Sequence, residues 1–188
     1  IINFAENEWA SATEISAGAN PMDLIDNVKL IQQEKEVSDL VFILVHGGHE
    51  YYNLPSPRMQ KQYRFYVDSG ADLVVGHHTH CISGYEVYKE APIYYSLGNF
   101  LFTMPSNDDN WYQGIVLDVY IDKNNKLKTK PIFVTQNKKN FMLSLAKDYQ
   151  VKELQHSFKD YTSIIQNKRL LHEYWIKFIK NKSNSYLK

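Results

Sequence analysis

The sequence of 188 residues has a single cysteine, no net charge and no long apolar run. With only Cys81, the chain cannot form an intrachain disulfide, which leaves its compartment open. Lys and Arg total 21, as do Asp and Glu, so nothing favours broad electrostatic binding of nucleic acid. No stretch approaches the roughly 20 apolar residues of a membrane span, and we find no signal peptide. These absences predict a globular domain without a nucleic-acid partner.

The chain also lacks an ordinary beginning. It has no initiating Met and opens directly on residues 1–4, an apolar segment that is typical of a buried strand. Domains seldom begin so abruptly, so we expect upstream polypeptide to be missing or to be supplied by another chain.

Strands and helices alternate in the first half of the sequence. Apolar runs predict strands at residues 1–4, 40–45 and 72–75. Helix-start signals lie between them, at Asn20-Pro21 with Asn20 as the N-cap, and at Ser56-Pro57. The six apolar residues at 40–45 indicate a strand that is buried on both faces. This order predicts a parallel sheet, in which ligands bind beyond the carboxyl ends of the strands.

Apolar spacing predicts which helix faces are buried. The first helix has one such face, formed by Leu24, Ile25, Val28 and Ile31. The second helix has another, formed by Met59, Tyr63, Tyr66 and Val67.

After residue 80 the pattern changes to an antiparallel or mixed sheet. Strands are predicted at 85–88, 93–97, 115–121 and 127–135. From about Leu143 the sequence becomes helical. We therefore divide the chain into a domain at 1–140 and a helical extension at 141–188.

Histidines follow two of the predicted strands. His46 ends one strand, and His77, His78 and His80 follow the next. Neutral imidazole is the commonest metal ligand at physiological pH. On an extended segment His78 and His80 would point the same way and His77 the other way, so the pair could hold one metal or bridge two. The alternatives are a polar loop with satisfied hydrogen bonds, and a structural role for His46.

Other polar residues fall at the same predicted edge of the sheet. Glu50 is a candidate general base or supporting carboxylate, or it caps the following loop. Asn99 could orient a histidine or contact substrate, or it could simply form a turn with Gly98. Glu6 and Asn7 follow the first strand and belong either to the site or to a solvated loop.

The carboxylates that a two-metal site requires are not in this sequence. Two divalent cations need about six to eight protein ligands, including a bridging carboxylate. The chain contains no Asp-x-His, no Gly-Asp at a strand end and no Asn-His after a strand. It therefore offers the histidine half of such a site without the anionic half.

Several motifs resemble the bacterial capsule synthesis protein family CapA, which includes the poly-γ-glutamate synthesis protein PgsA. The matching stretches cover about residues 1–120 in the family's order: Asn3-Phe4-Ala5-Glu6-Asn7-Glu8, Gly18-Ala19-Asn20-Pro21, His46-Gly47-Gly48-His49-Glu50, Gly76-His77-His78-Thr79-His80 and Ser96-Leu97-Gly98-Asn99-Phe100. Thr79 stands where the family often has Pro. The segment after about residue 140 has no counterpart that we can place.

The resemblance implies a metallophosphoesterase-like α/β fold, a four-layer α/β/β/α sandwich that is incomplete in this chain and followed by the C-terminal helices. It implies metal ligation by His46, His78 and His80, with Zn, Mn or Fe as the divalent ions. We expect the catalytic residues to be His46, Glu50 and Asn99. Supporting or substrate contacts are expected from Glu6, Asn7 and His77.

Three hypotheses about function follow. The first is a metal-dependent phosphoesterase-like hydrolase in capsule or poly-γ-glutamate biosynthesis, which needs the missing half of its site. The second is an accessory subunit without catalysis that binds an anionic polymer or a membrane synthase. The third is a fragment with no independent function. By resemblance we expect the protein at the cell envelope, membrane-associated and facing outward, with its anchor outside this chain.

Overall fold

The computed structural model of the protein describes residues 1–6 and 11–186, the last four of them by backbone alone. Strands and helices alternate through β3, and the second half is mostly antiparallel, as the sequence predicts. The elements in chain order are β1 Ile2–Ala5, α1 Leu24–Val37, β2 Phe42–His46, α2 Pro57–Asp68, β3 Leu73–His77, β4 Tyr85–Tyr88, β5 Ala91–Tyr94, a 3₁₀ helix at Asp109–Tyr112, β6 Gln113–Ile121, β7 Leu127–Gln136, β8 Leu143–Leu145, α3 Asp148–Gln166 and α4 Lys168–Tyr186.

The strands form two sheets. The first has the order β1-β2-β3-β5-β4, with parallel pairing throughout except between β4 and β5. The second is the antiparallel sheet β6-β7-β8. The predicted α/β class and the parallel first sheet are therefore confirmed.

Each face of the first sheet packs against a different partner. One face buries Ile43 and Val45 completely, together with Tyr63 and Tyr66 of α2. On the other face, Val75 packs in a second cluster with residues of β6, β7 and α3. The described part of the chain therefore has α2 on one side of the first sheet and the second sheet, with part of α3, on the other.

The predicted burial of β2 on both faces is complete on one face only. Ile43 and Val45 are fully buried, but Phe42 and Leu44 on the opposite face are only half-buried. They pack partly against the second cluster, and they line a cavity of about 360 Å³ together with residues of β6.

Helix α1 begins later than predicted. Its N-cap is Asp23 rather than Asn20, and the Asp23 carboxylate accepts hydrogen bonds from the N–H groups of Ile25 and Asp26. The Met22 N–H donates to the Ala5 carbonyl instead, which holds this segment beside β1. With the later start, Leu24 and Ile25 are exposed, and the helix buries Ile31 and Asn27.

Helix α2 matches its prediction closely. The Ser56 hydroxyl accepts a hydrogen bond from the Met59 N–H at 3.1 Å, and Pro57 occupies the first turn. Met59, Tyr63 and Tyr66 are buried as predicted.

The C-terminal region differs from the prediction at its start. Residues 143–145, which we expected to be helical, form β8 and pair with the end of β7. The helices that follow bury Leu154 and Phe158 on one side of the first sheet, and Ile165 and Leu171 on the other. No helix in the described part of the chain has the length and apolar content to cross a bilayer. The division at residue 140 stays a prediction.

A charged network lies under the antiparallel edge of the first sheet. Arg64 of α2 donates two hydrogen bonds to the Glu86 carboxylate, at 2.9 and 2.5 Å. The Tyr95 hydroxyl donates to the same carboxylate at 2.5 Å. Because Glu86 and Tyr95 are both buried, each depends on the other for hydrogen bonding.

We predict that Glu86→Gln lowers the free energy of unfolding by about 2 kcal/mol, because hydrogen bonds to a charged acceptor are worth about 1.5–3 kcal/mol. Urea-induced unfolding at neutral pH measures the change. Asp118→Asn is the matched control, since Asp118 is exposed on β6 and its substitution should change stability by less than about 0.5 kcal/mol. Equal effects of the two substitutions would contradict the prediction.

Candidate metal site

The ends of the first three strands bring the candidate residues together. In the parallel register, Ala5 lies opposite His46, and His46 lies opposite His77. Glu6 directly follows β1 and His78 directly follows β3, so both lie at the same edge of the sheet as His46.

His78 links His46 to Glu6. Its Nδ1 atom is 3.1 Å from His46 Nε2, and its Nε2 atom is 3.1 Å from Glu6 Oε1. The other Glu6 oxygen accepts a hydrogen bond from the Gly48 N–H at 3.2 Å. Burial raises the pKa of Glu6, but the hydrogen bonds from His78 and Gly48 outweigh it, so the pKa lies below its ordinary value. Glu6 is therefore an anion at neutral pH.

The glycines after His46 make room for this carboxylate. A Cβ atom on Gly47 would lie 2.7 Å from the Met22 Cε atom and 3.1 Å from Glu6 Oε2. Gly48 has a φ of 129°, which side chains rarely tolerate. The two glycines thus let the loop pass close to Glu6 and turn the Gly48 N–H toward it.

His80 is oriented by Asn99. Its Nδ1 atom is 2.9 Å from Asn99 Oδ1, and the Asn99 amide nitrogen donates to the Trp111 carbonyl at 2.9 Å. Because the amide nitrogen is committed to Trp111, the amide oxygen faces His80 and accepts the Nδ1 proton. The neutral ring then keeps its Nε2 lone pair for a ligand. The predicted turn at Gly98-Asn99 is not formed: Leu97 and Gly98 make isolated β-bridges with Ile82 and Gly114, although Gly98 has a φ of 69°.

The histidine segment is not extended, so the premise that side chains alternate along it is wrong. Strand β3 ends at His77, and φ is 90° at His78 and 57° at His80. Such angles cost a residue other than glycine on the order of 1–3 kcal/mol. Thr79, buried between them, places its hydroxyl 2.8 Å from Ser96 Oγ and 3.0 Å from the Cys81 carbonyl. These contacts hold the turn that places the rings of His78 and His80 6.1 Å apart.

An aromatic wall, formed by Trp111, Phe102 and Tyr51, flanks His80. The ring centroid of His80 is 4.5 Å from that of Trp111 and 5.1 Å from that of Phe102. Tyr51 stacks on Trp111 at 5.9 Å. The sequence did not predict Trp111 as a contributor to this site. The only local signal is its place just before β6, which gives no indication that it reaches the histidine edge.

The remaining candidates lie around this group. Glu50 is half-exposed, with its Oε1 atom 4.0 Å from His80 Nε2. His77 points to the opposite face and lines the cavity beside Phe42 and Leu44. Burial and the nearby His46 lower its pKa. Asn7 lies outside the described residues.

Helix α4 covers the loop after β2. The His49 ring lies 4.7 Å from Trp175, and Tyr52 stacks on Phe178 at 4.1 Å. Burial lowers the pKa of His49, and Glu6 opposes this change. The loop that carries Glu50 is therefore held from outside by the C-terminal helix.

The donor atoms suit a metal, but the described residues do not complete a cage. His46 Nε2 and His78 Nδ1 are separated by 3.1 Å, close to the roughly 3.4 Å between two nitrogens bound tetrahedrally at 2.0–2.1 Å from zinc. Within residues 1–6 and 11–186, no group of three His, Cys, Asp or Glu side chains is arranged to hold an ion. The chemistry of the donors fits, and further ligands are needed.

Comparisons with known proteins identify relatives of the first half of the chain. A family model described as "Bacterial capsule synthesis protein PGA_cap" matches residues 2–104. The chain is 42% identical over 97 residues to the "Capsule biosynthesis protein CapA" of Bacillus anthracis, covering 51% of this chain and 22% of that protein. It is 38% identical over 101 residues to the "PGA biosynthesis protein CapA" of Bacillus subtilis (strain 168), covering 54% of this chain and 25% of that protein.

A further match is less informative about function. The "Uncharacterized protein y4sH" of Sinorhizobium fredii (strain NBRC 101917 / NGR234) is 40% identical over 87 residues, which are 45% of this chain and 19% of that protein. The matched region spans about a quarter or less of each of these relatives. The family match contains all three candidate histidine ligands and Asn99, whereas Trp111 and α4 lie beyond it.

We predict that His80 carries its proton on Nδ1 and that Asn99→Ala abolishes this preference, because the accepting oxygen is removed. Long-range ¹⁵N–¹H NMR spectra of the neutral imidazole distinguish the two tautomers. Asn107→Ala, at an exposed position of the nearby loop, serves as the control and should leave the spectrum of His80 unchanged. An Nε2-protonated His80 in the unsubstituted chain would contradict the hydrogen-bond assignment.

We also predict that Tyr52 and Phe178 are energetically coupled across the contact between the loop and α4. A double-mutant cycle with Tyr52→Leu and Phe178→Leu should give a coupling of about 0.5–1.5 kcal/mol in unfolding free energy, as for other aromatic pairs. Phe178→Leu combined with Tyr120→Leu, at an exposed position on β6, should be additive within about 0.5 kcal/mol. Additivity in both cycles would mean that α4 does not hold the loop.

Proposed function

The chain belongs to the bacterial capsule synthesis protein family PGA_cap, and from this premise we propose that it carries the histidine half of a metal-dependent hydrolase site used in capsule or poly-γ-glutamate biosynthesis. The observation that carries the proposal is the convergence of His46, His78 and Glu6 at one sheet edge, next to a His80 whose Nε2 is presented by Asn99. Strand-end imidazoles with fixed tautomers are typical of metal sites.

In this proposal each residue has a defined task. His46, His78 and His80 hold divalent ions such as Zn, Mn or Fe, and Asn99 keeps the proton of His80 away from the metal side. Glu6 accepts a hydrogen bond from His78 Nε2, which leaves Nδ1 for an ion, and Glu50 is placed to accept or relay a proton near His80. The bound ions would supply an activated water and polarise a phosphoester or related acyl centre. The aromatic wall limits the approach of water to His80.

The proposal requires ligands that the described residues do not provide. A two-metal site takes about six to eight protein ligands, with at least one bridging carboxylate. We propose that these come from the family's other motifs, which this chain lacks, within a complete four-layer α/β/β/α sandwich. The relatives, of which the matched region covers about a quarter or less, have ample chain for them.

The accessory role is the second candidate, and one observation favours it. His46, His78, Glu6 and Gly48 form a continuous chain of hydrogen bonds, which is the arrangement of a polar loop that needs no metal. In that case the protein would bind an anionic polymer or a membrane synthase without catalysis. For both candidates we propose a membrane-associated location at the cell envelope, facing outward, since two relatives are named for capsule or PGA biosynthesis.

We predict that His78→Ala and His80→Ala each weaken Zn²⁺ or Mn²⁺ binding by at least about tenfold, because loss even of a group that supports a ligand costs 10–100-fold. Isothermal titration calorimetry of the chain measures this affinity. His156→Ala is the matched control, because His156 lies on α3 in an exposed pair with Asp160.

Catalysis is tested after the family's missing motifs are supplied as a second segment. Hydrolysis of a generic aryl phosphate by the metal-loaded assembly, lost in His80→Ala, is the expected result. A metal-loaded but inactive assembly would reject the hydrolase in favour of the accessory role. The same conclusion would follow if polymer output were unchanged after both histidine substitutions.

A further inference from the structure

A groove runs between α2 and α4, away from the histidine edge. One wall is a single face of α2 from Pro57 to Asp68, where lining residues recur at helical spacing. The first turn of α4 and Tyr88 of β4 form the other side. The groove encloses about 780 Å³. Because α2 advances about 1.5 Å per residue, this wall is about 16 Å long, which suits an extended chain.

The groove is positively charged in a chain whose charge sums to zero. Its lining includes Lys61, Arg64, Lys168 and Arg169, against one acidic residue, Asp68. Positive charge is therefore concentrated on this surface of the protein.

Partners on the protein neutralise only part of that charge. Arg64 is paired with Glu86, Arg169 with Glu173, and Asp68 with Lys89. Lys61 and Lys168 have no ion-pair partner among the residues that the structure describes, and both are exposed. Two ammonium groups are thus available to a ligand.

Apolar side chains lie between these charges. Leu171 is buried at the floor, while Phe65 and Tyr88 present partly exposed rings. A ligand that fills the groove must therefore offer hydrocarbon as well as anionic groups. A polymer with carboxylates separated by methylene groups meets both needs, whereas polyphosphate has no apolar part.

Both walls of the groove lead toward the histidine loop. Pro57 directly follows that loop, and Trp175, one turn of α4 beyond Leu171, packs on His49. A chain lying in the groove would therefore be directed toward residues 46–52.

We propose that the groove between α2 and α4 binds an anionic polymer whose carboxylates are spaced by methylene groups, with Lys61 and Lys168 as its cationic contacts. This deepens the proposed function, since it rests on a role in the synthesis of such a polymer. The site itself needs no metal and is separate from the histidines.

The test is the binding of a fluorescently labelled γ-linked glutamate oligomer to the 188-residue chain in EDTA, measured by anisotropy at increasing salt. The double variant Lys61→Glu/Lys168→Glu should weaken binding by about tenfold, since each exposed charge contact contributes a few-fold. Lys123→Glu/Lys152→Glu makes the same change in net charge on other exposed surfaces and should alter binding by less than about threefold. Circular dichroism establishes that each variant is folded.

Three outcomes would overturn the proposal. These are equal weakening in both double variants, binding of polyphosphate as tight as that of the glutamate oligomer, and no binding in EDTA. Binding that appears only with added metal would place the polymer at the histidines, so it would reject the groove and leave the proposed hydrolase standing. Polymer binding in the groove by a chain that binds no metal would support the groove and reject the proposed hydrolase.

Discussion

The parallel register of β1, β2 and β3 is the constraint on which the candidate site depends. It sets Ala5, His46 and His77 side by side, so the residues that follow leave the sheet at one edge. A slip of one residue in either pairing would move a side chain to the opposite face. The core enforces the register, because Ile43 and Val45 are fully buried against the helices. Packing of the apolar face thus determines where the polar groups meet.

The sequence predicts the part of the fold that periodicity and local capping control. The parallel strands and the start of α2 at Ser56 follow from such short-range patterns. The start of α1 does not, because the backbone at Met22 pairs with β1, and that contact is invisible in the local sequence. The incomplete burial of Phe42 and Leu44 also depends on how a distant sheet packs on β2.

For the site, the sequence predicts which histidines lie close together but not the backbone geometry that positions them. The neighbourhood of His46 and His78 follows from strand ends in a parallel sheet, whereas the turn at Thr79 depends on a hydroxyl contact with Ser96. The Thr79 hydroxyl links the turn to the segment after β5. Trp111 could not be predicted, because its approach to His80 depends on the fold of a distant segment.

The hydrogen bonds around the histidines divide them into two groups. His78 is committed on both ring nitrogens, to His46 and to Glu6, while His80 is committed on one, to Asn99. A cation that binds His46 and His78 would thus have to replace existing hydrogen bonds, whereas at His80 it would have to replace fewer. His80 can therefore exchange its contacts for a metal more readily than His78.

The contact of α4 with the histidine loop has an evolutionary consequence. Trp175 and Phe178 lie beyond residues 2–104, the region shared with the family, yet they pack on His49 and Tyr52 within it. A lineage that exchanged only its last helix would alter the surroundings of this loop while the strand ends stayed intact. Changes in a segment outside the matched region can therefore act on the surroundings of the candidate site inside it.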